Sequence, residues 1–509
     1  MKKLNLFLIL ISIIFSSCSK SVDERPNILL ILVDDMGWSD IGCYGSEVTT
    51  PNLDRLAENG IRFTQMHNTS KCFPSRAILQ TGIYAHQNGY HKSYKQPLKN
   101  CVTLGEVLQT AGYRTMWSGK HHGVETPVDR GYDRYYGLRE GASNHFNPGL
   151  QRDGEAKPAQ KRPDRPFFVD HEKFQPYSPP NDFYTTDYFT KYALYWLDEY
   201  KDEEKPFFLH IAYTAPHDPL MAWPEDIAKY RGKYQKGYRD VRTKRYAKQK
   251  ELGLINNRYM LSEETYDSWE SLSDSLKDVE DLKMAVYAAM IDRMDQKVGE
   301  ILQKIDQMGK LDNTLVLFMS DNGGSAEVVN IPGDGNIGTV GQWTSLGKNW
   351  ANVSNTPYRF YKNYSFEGGI CTPMIAYWPD GLKSKNKITD FSGHFIDIMP
   401  TLVEISGATY PSTFNGQKVV PMQGVSLLPV LKGETIERIK PLFWQWQRGK
   451  AVREGSWKIV AHGNDSEWEL YNVTEDPTET NNLATVHSER VADLSEKFES
   501  WLEENKKWN

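Results

Sequence analysis

Short apolar runs that stop abruptly at charged residues organise this chain. Asn27-Ile28-Leu29-Leu30-Ile31-Leu32-Val33 shows no polar alternation and is rich in branched side chains, which predicts a strand buried on both faces; it ends in Asp34-Asp35. Thr314–Ser320 repeats the pattern and ends in Asp321-Asn322-Gly323-Gly324. Further strands are predicted over 113–117, leading into Ser118-Gly119-Lys120-His121-His122, and over 207–213, leading into Thr214-Ala215-Pro216-His217. Helical signals lie between them. Thr50 can cap a helix with Pro51 at its first position and Gly60 beyond its end, and Thr103 with Glu106 forms a capping-box pattern for a helix ending near Gly112. Residues 282–308 carry apolar positions at helical spacing and predict a core helix. Such alternation argues for an α/β fold with a mainly parallel sheet and helices on both faces.

From about Pro411 the pattern changes to short strands, over 451–460 and 468–471, with Asp476-Pro477 closing that sheet and an amphipathic helix following. The expected division is a large domain over 26–410 and a small α+β domain over 411–509. Two less regular regions interrupt the first: 144–181, rich in Pro, charge and aromatics and expected as a surface excursion over the site, and 218–281, with charged helix-like segments. Insertions of that size are expected to serve function, here by reading the substrate.

Ahead of the first strand, Lys2-Lys3, an apolar run from Leu4 to Phe15, and Ser16-Ser17-Cys18 have the parts of a secretory signal. The cysteine makes the segment resemble a bacterial lipoprotein signal. On that reading 1–17 is the signal, Cys18 carries a lipid anchor, 18–25 is a tether, and the protein is exported to the periplasm or cell surface. The run is too short for a retained membrane span. Of the five cysteines, Cys18 would be lipidated, and a chemical modification of Cys72 would leave those at 43, 101 and 371 for at most one disulfide. A net charge of −6, with no basic stretch interleaved with aromatics, argues against a nucleic-acid partner.

The charged stops carry the chemistry. Asp34-Asp35 are adjacent carboxylates that repel unless a proton or metal intervenes. Pro74 suits the first turn of a helix that places Cys72 at its N-terminus, where free N–H groups and the helix dipole stabilise an anion.

The run Cys72-Phe73-Pro74-Ser75-Arg76-Ala77-Ile78-Leu79-Gln80-Thr81-Gly82 resembles the signature by which type I sulfatases mark their catalytic cysteine for conversion to formylglycine. Ser118-Gly119-Lys120-His121-His122 is similar to the family's Gly-Lys-Trp-His element, with His121 in place of the usual tryptophan. Thr214-Ala215-Pro216-His217 resembles the segment that places a substrate-side histidine, and Lys362, followed by Glu367-Gly368-Gly369, matches the family's lysine at that spacing; Cys371 stands where an arginine is common. The resemblance extends over nearly the whole chain beyond its signal and is nearest to the bacterial arylsulfatase subgroup.

The resemblance implies the alkaline phosphatase-like sulfatase fold, with a large mixed, mainly parallel sheet and a smaller C-terminal antiparallel sheet. It also implies a maturating enzyme that acts on Cys72, and a hydrated aldehyde at that position whose hydroxyl attacks sulfur. Arg76 would hold the diol, Lys120 and His122 would complete the catalytic group, His217 would contact sulfate or protonate the leaving group, and Lys362 would contact the sulfate or ester oxygen. Asp34, Asp35, Asp321 and Asn322, with position 72, are the implied metal ligands. That oxygen set suits a hard cation, and calcium better than magnesium because protein supplies most ligands. With a divalent cation, the carboxylates, two lysines and Arg76 leave a net charge of about +2, a field suited to an anionic ester.

The expected activity is hydrolysis of an aryl sulfate or a sulfated carbohydrate. Two other readings stay open on the sequence: a phosphonate monoester or phosphodiester hydrolase, since relatives with the same nucleophile cleave those esters, and an inactive surface lipoprotein that binds sulfated glycans.

Overall fold

The computed structural model describes residues 25–508. The signal over 1–17 and the anchor at Cys18 lie outside the described residues. No helix among the described residues is long and apolar enough to cross a membrane.

One large mixed sheet dominates. Its strands in chain order are β1 (Asn27–Asp34), β2 (Ile61–His67), β3 (Arg114–Gly119), β4 (Arg134–Leu138), β5 (Phe167–Val169), β6 (Glu172–Phe174), β7 (Phe207–Pro216), β8 (Thr314–Ser320), β9 (Cys371–Tyr377), β10 (Lys387–Thr389) and β11 (Gly393–His394). Across the sheet the order is β10-β2-β9-β8-β1-β7-β3-β4-β5-β6, with β11 also paired to β2. The centre, β8-β1-β7-β3, is parallel throughout, with Leu32 level with Met319 and with Ala212, and Gly119 also level with Ala212. Strand β9 runs antiparallel to β2 and to β8. The four predicted strands are these four central ones, and their carboxyl ends lie side by side, where open α/β sheets place ligands.

Alternate residues of β1 serve two cores. Leu29, Ile31 and Val33 join one cluster with the long helix Asp274–Gln307 and the helix Thr185–Glu199, while Ile28, Leu30 and Leu32 join the other with helices Cys72–Thr81, Leu104–Thr110 and Ile398–Ser406. Burial on both faces explains why the run lacks polar alternation.

The predicted helices form at Pro51–Glu58, Cys72–Thr81 and Leu104–Thr110, and the core helix begins earlier than its apolar spacing suggested. Thr103 and Glu106 make the reciprocal capping bonds. Thr50 does not cap. Its hydroxyl accepts from the Gly42 N–H and donates to Asp54, and Asp295 of the long helix takes the Asn52 and Leu53 N–H groups instead. A buried carboxylate is the stronger acceptor for those groups.

Region 144–181 is less of an excursion than its composition suggests. It contributes β5 and β6 to the sheet, and Asn144 and His145 are buried. Region 218–281 carries the helices Pro224–Ala228 and Gly237–Glu251 and docks through Arg245, which is buried and pairs with Asp40 and Glu47. Cys43, Cys72, Cys101 and Cys371 are buried free thiols, so no disulfide forms among the described residues.

The C-terminal part folds as the antiparallel sheet Leu442–Trp446, Gly449–Glu454, Trp457–His462, Glu469–Asn472, covered by the helix Ser488–Asn505. The predicted run over 451–460 is two strands, turned at Gly455 with φ 56°. This sheet is clamped to the large one by buried charge. Lys458 reaches both Glu367 and Glu479 at 2.7 Å, Glu479 accepts the Glu367 N–H at 2.7 Å, and His67 lies 3.0 Å from Glu367. Trp444 adds an indole bond to the Asn68 carbonyl at 2.7 Å. Removing one partner leaves unpaired charge in the interior, so Lys458→Ala should lower unfolding stability by about 3–5 kcal/mol. Urea unfolding of the variant measures this, and a loss under about 1 kcal/mol would show the clamp to be dispensable.

Candidate active site

The carboxyl ends of the central strands bring the charged stops together. Asp34 ends β1 and Asp35 follows it, Asp321 and Asn322 follow β8, Lys120 follows β3, and His217 follows β7. Gly119 lets β3 and β7 close up, since a Cβ there would lie 2.0 Å from the Ala212 carbonyl oxygen. Asp35 and His122 have left-handed backbone, φ 61° and 64°, a strained conformation held by the surrounding structure.

Every cation predicted for the site meets a carboxylate. Lys120 Nζ donates to Asp34 at 2.5 Å, Lys362 Nζ donates to Asp35 at 2.8 Å, and Arg76 Nε donates to Asp321 at 2.7 Å. Arg76 Nη1 also donates to the Lys120 carbonyl, and Asn322 Nδ2 donates to Asp35 at 2.7 Å. Cys72 opens the helix Cys72–Thr81, whose residues are all buried, and Arg76 points from its next turn into the network. His122 and Cys72 make no hydrogen bond to the others. His122 packs edge-on against Tyr94, with ring centroids 4.6 Å apart, and against Phe73. His121 packs on Trp117 behind the site.

Burial makes these charges interdependent. It opposes ionisation of Asp34 and Asp35, yet Lys120, His217 and Arg76 hold Asp34 below the carboxylate range, and His217, Lys362 and the Asn322 amide hold Asp35 far below it. Burial and the Asp34 charge push Asp321 up to about 6 despite Arg76. His217 is also buried, but Asp35, Asp34 and Asp218 raise it to about 10, so it is protonated at neutral pH. Burial, then Lys120 and Arg76, push His122 well below the usual histidine range and leave it neutral. The two histidines thus differ in protonation: one is an imidazolium, the other a neutral ring.

Several members of the site lack any motif. Glu327 bridges Lys71 at 2.7 Å and Lys362 at 2.9 Å, tying the residue before the cysteine to the lysine. His145 donates from Nε2 to the His217 carbonyl at 3.0 Å, and Asp218 accepts from His217 Nδ1. Lys71 precedes the cysteine run and was open to suspicion from its position; Glu327 and His145 carry no local signal.

The sequence matches the family described as Sulfatase over residues 26–408. The chain belongs to the sulfatase family. Over residues 358–507 it matches the family described as N-sulphoglucosamine sulphohydrolase, C-terminal. It is 33% identical over 527 residues to an uncharacterized sulfatase of Schizosaccharomyces pombe, covering 94% of this chain and 93% of that protein. It is 33% identical over 440 residues to an arylsulfatase of Klebsiella aerogenes, covering 79% of this chain and 91% of that one. The crystal structure of Ps i-CgsB in complex with k-i-k-neocarrahexaose superposes with a TM-score of 0.70 at 25% identity, covering 94% of this chain and 92% of that chain. The sulfatase is accordingly a sulfuric ester hydrolase with the alkaline phosphatase-like fold.

Its donor set fits a divalent cation. Asp34 Oδ1 and Asn322 Oδ1 are buried and accept no hydrogen bond, an arrangement that costs about 1–3 kcal/mol per group unless a cation takes the lone pairs. Asp34, Asp35 and His217 bring ligand atoms within 4.8 Å of one another. Cys72 does not join that set. Asp321 borders it, giving Oδ2 to Arg76 and Oδ1 to the Asp35 N–H at 3.3 Å, and His217, as an imidazolium, faces Asp35 as a proton donor and offers no lone pair to a cation. Adding a divalent cation to the sulfatase stripped by chelation should therefore raise its melting temperature, and Asp34→Asn should remove most of that rise. Differential scanning fluorimetry measures both, and equal shifts in the two proteins would place the ion elsewhere.

Proposed function

We propose that this sulfatase cleaves sulfate esters of carbohydrates or aryl alcohols to the alcohol and inorganic sulfate, with a formylglycine made from Cys72 by a maturating enzyme and a calcium ion at Asp34, Asp35, Asp321 and Asn322. The observation that carries the proposal is the convergence of Arg76, Lys120, Lys362 and His217 around orphaned buried oxygens, beside a cysteine at a helix N-terminus. The oxygen-rich set favours a hard cation, and its supply of ligands from protein favours calcium over magnesium. The hydrated aldehyde would supply a nucleophilic oxygen that can later release sulfate without water attacking sulfur.

The chain's own groups account for the rest. Lys362 and Lys120 offer fixed positive charge where the sulfate oxygens would lie, in surroundings that exclude water and so strengthen the interaction. Arg76, kept protonated against burial by Asp321, Asp34 and Cys72, orients the group at position 72. His217, held as an imidazolium by its carboxylate neighbours, is placed to protonate the leaving oxygen. His122, a neutral ring, would take the proton of the hydroxyl that expels sulfate once the bound anion offsets Lys120 and Arg76 and raises its basicity. A carbohydrate leaving group is favoured by the relative crystallised with a neocarrahexaose. On the lipoprotein-like signal, the same proposal sets the enzyme outside the cytoplasm, tethered through Cys18.

Sulfate release from a panel of aryl and carbohydrate sulfates, alongside release from matched phosphonates, tests the reading. The matured protein should release sulfate, Cys72→Ala should release none, and peptide mass should show formylglycine at position 72. Lys362→Ala should lower kcat by about 100- to 1,000-fold. Turnover surviving in Cys72→Ala, or faster release from phosphonates than from sulfates, would reject the proposal.

A further inference from the structure

A cavity of about 550 Å³ opens beside Lys362, on the side of Glu327 that faces solvent. Pockets for small ligands span roughly 300–1,000 Å³, so a sugar ring fits. Its far wall comes from the C-terminal sheet: the two-residue turn Gln447-Arg448 between strands Leu442–Trp446 and Gly449–Glu454, and His462 from the next strand. Neither element contributes a residue to the catalytic centre.

The wall is built and held. Trp446 Nε1 donates to Asn363 Oδ1 at 3.0 Å, joining the turn to the residue next to Lys362. The Gly463 N–H donates to the Arg448 carbonyl at 3.0 Å. Tyr364 stacks on His462 with centroids 4.1 Å apart, forming a flat aromatic floor. Gln447 has φ 48° at a turn position that Gly, Asn or Asp would occupy without strain.

The charges of the cavity are unequal. Glu327 is neutralised by Lys71 and Lys362, and Lys348 pairs with Asp267 at 2.8 Å. Arg448 is exposed, lines the cavity and has no carboxylate partner among the described residues. Burial and then Arg448 disfavour protonation of His462. One unspent guanidinium therefore looks into a cavity that begins at the sulfate-side lysine.

We propose that the Gln447-Arg448 turn forms a subsite for the sugar next to the one being desulfated, and that Arg448 selects a substrate carrying an anionic substituent on that neighbouring sugar. This rests on the sulfatase reading above and names its substrate class: a glycan bearing more than one negative group. A sulfate and a uronate carboxylate both suit the fork of a guanidinium.

The test compares three disaccharides with the same scissile sulfate: one with a neutral neighbouring sugar, one with a second sulfate there, and one with a uronate there. The wild-type enzyme should prefer an anionic neighbour. Arg448→Gln should lower the ratio of kcat/KM, anionic over neutral, about tenfold, chiefly through KM, and Arg448→Lys should restore part of it. A loss confined to the disulfated or to the uronate substrate still supports the subsite and names the anion. An unchanged ratio in Arg448→Gln, or a wild-type enzyme indifferent to the neighbour, overturns it. Absence of sulfate release from all three by the wild-type enzyme would instead remove the activity on which the subsite depends.

Discussion

Three buried carboxylates at the ends of parallel strands set the terms for this molecule. Asp34, Asp35 and Asp321 have essentially no solvent contact, and an ionised carboxylate in such surroundings is tolerated only with charge or strong donors against it. The fold supplies them from four distant places: Arg76 from a helix, Lys120 from the end of β3, His217 from the end of β7 and Lys362 from a loop. Two oxygens stay unmatched even so. The same imbalance that a bound cation would relieve leaves the cationic side chains near an anionic ester, so burial and chemistry are one problem with one solution.

The strand order is what makes that possible. Because β8, β1, β7 and β3 are parallel neighbours, all four carboxyl ends open on one edge. An antiparallel strand in this centre would send its charged stop to the opposite edge. Strand β9 is antiparallel and carries no site residue at its carboxyl end, and its role is to bind β2 to the centre and so carry the helix beginning at Cys72 into position.

The C-terminal sheet is more than a cover. Its Lys458 joins a buried cluster with Glu367, five residues beyond Lys362, and its Trp446 bonds the residue next to Lys362. The loop that carries the lysine is thus fixed between two sheets. That coupling also brings the 447–448 turn to the mouth of the site, where regions 144–181 and 218–281 had been expected to do the reading. Those regions also extend the sheet, support His217 through His145, and dock by Arg245.

The sequence alone determined the four central strands, because their apolar runs are long, branched and end in charge, signals that are local and need no partner to be seen. It determined the cysteine helix and most site residues for the same reason: each stands in a motif a few residues long. Tertiary structure decided the rest. Glu327 meets Lys71 across 256 positions and His145 meets His217 across 72, so nothing near either residue marks it. Asp295 displaced Thr50 as a cap because a buried carboxylate from another helix takes the Asn52 and Leu53 N–H groups while Gly42 and Asp54 engage the Thr50 hydroxyl. Which oxygens stay unpaired, and that Arg448 faces the site, follow from how two sheets pack, and packing is a property of surfaces that the linear order of residues does not contain.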